Sequence, residues 1–384
     1  YLSYNQITTI EKDTFNGLLN LEDLNLDYNQ IISIELNTFN GLSNLVDLSL
    51  GNNQITTIKP NAFAGLLNLE DFYLNNNQIT TIEKDTFTGL SKLDFLYLTN
   101  NQITTIEQNA FTGLLNLNFL ELNNNQITTI EQNTFAGLST LKYLRLNNNQ
   151  IITIEQNAFT GLSNLVDLSL GNNQITTIHP DTFNGLSNLQ KLWLDNNQIT
   201  TIEQNAFTGL SNLNKLDLNN NQITTIEQNT FAALLNLRNL YLNNNQITTI
   251  EPNSFNGLSR LNFLNLENNH ITKIRLNPIN QIIKINISYN LLFNIEINGE
   301  FRNGEFRNNG PYRKYFINNF VYQINYTLLD NFFINKLKLI FNNCFTTNNR
   351  IKEDIIFLLN KNYVPITKNT KNTNNTKNTN NILF

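Results

Sequence analysis

Apolar and polar positions repeat along this chain with a single period. One unit reads Leu141, Leu144, Leu146, Asn149, Ile151, Ile154 and Phe159, and the same order recurs on both sides of it. The Asn of the unit falls at 5, 29, 53, 77, 101, 125, 149, 173, 197, 221 and 245, and Asn269 continues the series with His270 in place of Gln. A Phe column runs in step from Phe15 to Phe255, and a Gly stands two residues after each Phe except at Ala233. The alternation at Leu144 and Leu146 predicts a short strand with these two side chains inward and their neighbours outward. Each Phe is expected beneath the returning loop, contributing about 1.5–3 kcal/mol when fully buried. The repeated Asn lies between buried neighbours, and its amide offers two donors and an acceptor. A column of Asn can therefore satisfy backbone groups of adjacent turns. One more degenerate unit reads Ile285, Ile287 and Asn290.

The unit L-x-x-L-x-L-x-x-N-Q-I-T-T-I-E-x-x-x-F-x-G-L-x-N resembles the leucine-rich repeat of the 24-residue "typical" class, over about 290 residues and about twelve units. The resemblance implies an α/β solenoid. It would be a curved horseshoe with short parallel strands, about thirteen in all, on the concave face and loops returning outside. It also implies a non-enzymatic module that binds a protein ligand on that face. Typical-class units are similar to those of Toll-like receptors and small leucine-rich proteoglycans, which implies a secreted or cell-surface receptor or adhesion protein. The pattern departs from extracellular members in lacking Cys-bearing caps, since Cys344 is the single cysteine. That departure, and sequons only at Asn286, Asn325 and Asn374, suit an alternative: an intracellular scaffold or adaptor.

Two outward columns differ between units while everything around them is nearly constant. One holds Asp23, Asp47, Asp71, Phe95, Phe119, Tyr143, Asp167, Lys191, Lys215, Asn239 and Phe263; the other holds Asn25, Ser49, Tyr73, Tyr97, Glu121, Arg145, Ser169, Trp193, Asp217, Tyr241 and Asn265. Tyr73, Phe95, Tyr97, Phe119 and Tyr143 are expected to form an aromatic patch edged by Glu121 and Arg145, with Lys191 and Trp193 two units further on. Aromatics with Arg are the composition of binding hot spots. The competing reading is that these rings stack on one another and stabilise the strand ladder. Residues 45–58 recur unchanged at 165–178. Units so alike record block copying, and their likeness says nothing of shared function.

Composition adds boundaries. Residues 1–298 form the solenoid, 299–310 read as a Gly- and Asn-rich linker, 311–365 as a small helical region with candidates at 327–345 and 352–361, and 366–384 as a disordered tail. Residues 1–274 hold 11 Lys+Arg against 24 Asp+Glu, and 275–384 hold 14 against 6. The acidic solenoid would repel phosphate, so no nucleic acid is expected as partner. No run approaches the length of a membrane span. His179 and His270 lie nearly four units apart and cannot share a metal, and no nucleotide or nucleophile motif appears. Neither enzyme activity, metal nor cofactor is therefore expected. Regular Thr columns such as Thr56 and Thr57 leave ice binding, or a purely structural array, as a remote alternative. Methionine is absent and Tyr1 falls halfway through a unit, which predicts that the sequence is an internal piece of a longer polypeptide. About a fifth of the chain is Asn, far above ordinary usage, an excess assigned here to the structural column, copied loops and the tail.

Overall fold

The computed structural model describes residues 1–276, then 284–287, 289–290 and the strand residues 294–297, 301–302, 305–306 and 314–316. All of them lie in one unit, Tyr1–Gln323. The helix candidates at 327–345 and 352–361 and the tail lie outside the described residues. Within the span read as a linker, Phe301–Arg302 and Glu305–Phe306 pair antiparallel.

The chain winds as a solenoid. Three-residue strands, Asp23–Asn25 through Phe263–Asn265, followed by Lys284–Asn286 and Lys314–Phe316, form a thirteen-stranded parallel sheet in sequence order. Each strand pairs with its successor in strict register, as in Asp47↔Asp71, Leu48↔Phe72 and Ser49↔Tyr73. The degenerate unit keeps the register, with Phe263 opposite Lys284. Central strand residues such as Leu144 are fully buried, while the first and third positions face outward. The columns expected to face outward are thus the first and third residues of each strand.

The predicted Phe spine is present. Phe111, Phe135 and Phe159 stack at centroid distances of 6.0 Å, and all are buried. Phe72, which replaces a strand Leu, enters the spine edge-on against Phe63 at 4.7 Å and Phe87 at 6.4 Å.

The Asn column behaves as its chemistry requires. Asn125 Nδ2 donates to Leu98 O at 3.0 Å and Leu122 O at 3.1 Å, and its Oδ1 accepts the Ile103 amide at 3.0 Å. The arrangement repeats from Asn29 to Asn269 and continues at Asn290, whose Oδ1 accepts the Ile271 amide at 3.0 Å. A second amide ladder joins outer loops, as in Asn164 Nδ2 to Ser139 O at 2.8 Å and Asn188 Nδ2 to Ser163 O at 2.9 Å.

Much of the remaining Asn is explained by backbone geometry. Two columns have φ between 52° and 68°: one runs from Asn52 through Asn124 to Asn268, the other from Asn37 through Asn133 to Asn253. Asn and Asp tolerate this left-handed region far better than other side chains. Tyr4, Tyr28 and Tyr289 are the exceptions among the described residues.

Opposite the long sheet, two-residue strands pair only in twos, such as Thr81–Ile82 with Thr105–Ile106 and Thr129–Ile130 with Thr153–Ile154. In each of these couples the first unit carries Thr before its spine Phe (Thr86, Thr134) and the second carries Ala (Ala110, Ala158). The Thr hydroxyl donates within its own turn, to Glu83 O or Glu131 O. The amide of Glu107 or Glu155 in the Ala unit reaches back to Ile82 O or Ile130 O. The solenoid thus alternates over two units in this layer.

Candidate functional site

All nine residues singled out from sequence lie on the outward side of the long sheet, where they form two groups. The first is a ring cluster. Tyr73 stacks on Tyr97 at 4.7 Å with planes 3° apart. Tyr97 meets Phe119 at 5.4 Å, Phe95 meets Phe119 at 6.1 Å, and Phe119 meets Tyr143 at 6.3 Å. The rings support one another as a strand ladder would, yet they are only half-buried, and Tyr143 remains 40% exposed. Patch and ladder are the same object. Burial raises the hydroxyl pKa values of Tyr73 and Tyr97, with nearby Asp71 adding to it.

The second group is organised by a residue outside the nine. Asp167 is 4% exposed and receives Arg145 Nη1 at 2.6 Å and Trp193 Nε1 at 3.0 Å, with Lys191 Nζ 3.7 Å away. Arg145 also donates to Ser169 Oγ at 3.0 Å and lies 5.8 Å from the Tyr143 ring centroid. Lys215 Nζ sits 3.7 Å from the Trp193 ring and 4.6 Å from Tyr241, with Asp217 Oδ2 at 3.5 Å. Arg145, Lys191 and Trp193 are therefore engaged by the chain itself. Glu121 lies between the groups; burial raises its pKa, against the opposing pull of Asn123 and Arg145.

A third feature was missed by reading the two strand columns alone. The residue just before each strand also varies, and its members Glu70 and Asp94 join Asp47 and Asp71 beside the ring cluster. Burial first, then Asp47, Asp94 and Glu70, push the Asp71 carboxyl up to about 6. Residues 22–27, 46–51, 70–75 and 94–99 contain Glu22, Asp23, Asp27, Asp47, Glu70, Asp71 and Asp94, and no Lys or Arg. The variability of this preceding column was the available signal.

Among the described residues no group of three or more His, Cys, Asp or Glu could hold a metal ion, and no helix is long and apolar enough to cross a membrane. His179 is exposed against Glu203 at 2.9 Å. Cys344 lies outside the described residues.

The sequence profile of the family described as leucine rich repeat matches residues 1–55, 43–103, 96–151, 139–199, 187–247, 212–271 and 235–292. No curated protein matches the chain. Among solved structures, an LRR protein of Leptospira interrogans is 27% identical with a TM-score of 0.61, covering 78% of each chain. TLR13, solved in complex with ssRNA13, is 28% identical with a TM-score of 0.56, covering 74% of this chain and 49% of its own. This chain thus spans about half the length of TLR13. FLRT2, solved in an octameric complex with Latrophilin 3 and Unc5D, is 29% identical with a TM-score of 0.54, covering 64% of this chain and 75% of its own.

Proposed function

The chain belongs to the leucine-rich repeat family, and on that premise we propose that it is a non-enzymatic protein-binding module whose long-sheet face captures another protein. One observation carries this reading: half-exposed rings and charges that differ from strand to strand stand on a frame whose Leu, Asn and Phe columns barely vary. The complex of FLRT2 with Latrophilin 3 and Unc5D supports a protein as ligand. TLR13 was solved with an RNA, but the seven carboxylates and absent cations across four successive strand segments of this face disfavour a phosphate backbone. The similarity of typical-class units to receptor ectodomains supports a place outside the cell or on its surface, as part of a receptor or adhesion protein.

The test is capture from extracts of the source organism. Tyr97→Ala with Phe119→Ala is expected to unfold cooperatively, at a somewhat lower temperature because ladder contacts are lost, and to lose the captured protein. Undiminished capture by this folded variant would refute the reading.

A further inference from the structure

The sequence Leu-Val-Asp-Leu-Ser-Leu-Gly-Asn-Asn-Gln-Ile-Thr-Thr-Ile stands at 45–58 and again at 165–178. Each copy contributes an identical strand to the long sheet, Asp47–Ser49 and Asp167–Ser169. Their neighbours differ. Ser169 lies between Arg145 and Trp193 in register, whereas Ser49 lies between Asn25 and Tyr73. Lys191 opposes Asp167, and Asp71 opposes Asp47.

The second copy is a filled site. Arg145 Nη1 reaches both Asp167 Oδ1 at 2.6 Å and Ser169 Oγ at 3.0 Å, and Trp193 donates to the same carboxylate at 3.0 Å. The first copy offers the same Asp and Ser, and among the described residues no Lys or Arg pairs with that Asp. Asn25, where Arg145 would stand, is short and its Oδ1 accepts the Asp27 amide at 3.0 Å. Asp71, where Lys191 would stand, adds a second carboxyl in register with Asp47, whose charge adds to burial in pushing the Asp71 carboxyl up. Tyr73 stacks on Tyr97 with one ring face, and its other side is that of Ser49, whose side chain is small.

We propose that Asp47, Ser49 and Tyr73 form an arginine site, filled by an arginine side chain of the protein partner in the way Arg145 fills the duplicate strand. The inference rests on the sheet face being the protein-binding surface and names the chemistry it recognises. A guanidinium fits better than an ammonium because its planar fork bonds a carboxylate and a hydroxyl together while lying against a ring. The neighbouring carboxyls of Asp71 and Asp94 would gain from the same positive charge. The adjoining Tyr97, Phe95 and Phe119 rings offer apolar contact to the residues beside that arginine.

The full chain is titrated, by NMR or calorimetry, with Nα-acetylarginine amide, its lysine counterpart and calcium chloride. The arginine amide is expected to saturate one site and bind more tightly than the lysine amide. Asp47→Asn should weaken it roughly tenfold or more, the loss expected for a charge-assisted hydrogen bond. Asn25→Arg should rebuild the internal contact, abolishing binding of the amide and raising the melting temperature. Equal binding of both amides, displacement of arginine by calcium, or undiminished binding to Asn25→Arg overturns the site. If the arginine amide fails to bind while Tyr97→Ala with Phe119→Ala still abolishes protein capture, the site falls and the sheet-face reading stands. If the amide binds and that double variant captures normally, the reading falls and the site stands.

Discussion

Replacing Asn125 tests the amide ladder most directly, because its lost bonds are unequal. Leu98 O retains Asn101 Nδ2 at 3.1 Å and Leu122 O retains Asn149 Nδ2 at 2.9 Å, so neither carbonyl is stranded by Asn125→Ala. Among the described residues, Asn125 Oδ1 is the acceptor that reaches the Ile103 amide, and Ile103 is fully buried. One orphaned buried N–H costs about 1–3 kcal/mol, and each lost carbonyl bond about 0.5–1.5 kcal/mol. The total is about 2–6 kcal/mol.

Asn125→Asp separates the two halves of this sum. It keeps the acceptor for Ile103 but turns a carboxylate toward two carbonyl oxygens. At neutral pH it should therefore cost at least as much as Ala. Its folded-state pKa would lie above the unfolded value, so the variant gains stability as pH falls and loses it as pH rises through that window. Thermal and urea unfolding are followed by circular dichroism and by the emission of Trp193, the single tryptophan, at pH 4.5 and 7.5, each variant against the parent. Two probes are needed because repeat arrays can unfold in parts. A shift of roughly 2–4 °C per kcal/mol, from the scaling for domains of about 150–250 residues, makes the expected loss at least several degrees. An Ala variant melting like the parent, or an Asp variant more stable than Ala at pH 7.5, refutes the ladder argument.

The remaining predictions concern the sheet face. The Asp71 carboxyl is raised from 3.8 to about 6, so between these values the folded chain holds a proton that the unfolded chain has released. Stability then declines as pH rises through that window. Asp71→Asn should melt higher than the parent at pH 7.5 and equally at pH 4; equal melting at both would contradict the carboxyl repulsion. Asp167→Ala removes the shared acceptor of Arg145 and Trp193. It should cost about 2–4 kcal/mol, somewhat under the penalty for a fully buried pair because the Arg145 side chain is 23% exposed. Trp193 emission should shift with it, and an unchanged melting temperature and spectrum would remove Asp167 as organiser.

What the sequence made legible follows from what a period determines. Fixed spacing assigns each residue a place in the turn, so the strands, the Phe spine and the bonds of Asn125 could be read before any coordinates. Spacing does not report backbone conformation. Asn124 and Asn133 were assigned to copied loops, but their φ values of 55° and 61° give Asn a conformational reason to be there. The Thr86/Ala110 alternation was visible in the text, and only the hydrogen bonds give it meaning. Asp167 was read as one member of a variable column. Its burial depends on Arg145 and Trp193, each supplied by a different neighbouring strand, and a column read downward does not display contacts made across it.

The duplicated strand shows how identical residues acquire different surroundings in a protein built by copying. Asp47 and Asp167 share every residue of their own strand, yet only Asp167 is sealed beneath an arginine and a tryptophan. Since the strand is constant, the difference must come from the neighbours at positions 25, 71 and 73 against 145, 191 and 193. An asparagine in place of an arginine and an aspartate in place of a lysine leave the carboxylate and hydroxyl without an internal cation. On a face whose backbone is fixed by the Asn ladder, such a change costs little in fold. It turns a stabilising contact within the chain into one that a partner can complete. At the proposed arginine site the deciding residues are those flanking a repeat, and Asn25→Arg, which restores the flank, is the substitution that distinguishes a site from a gap.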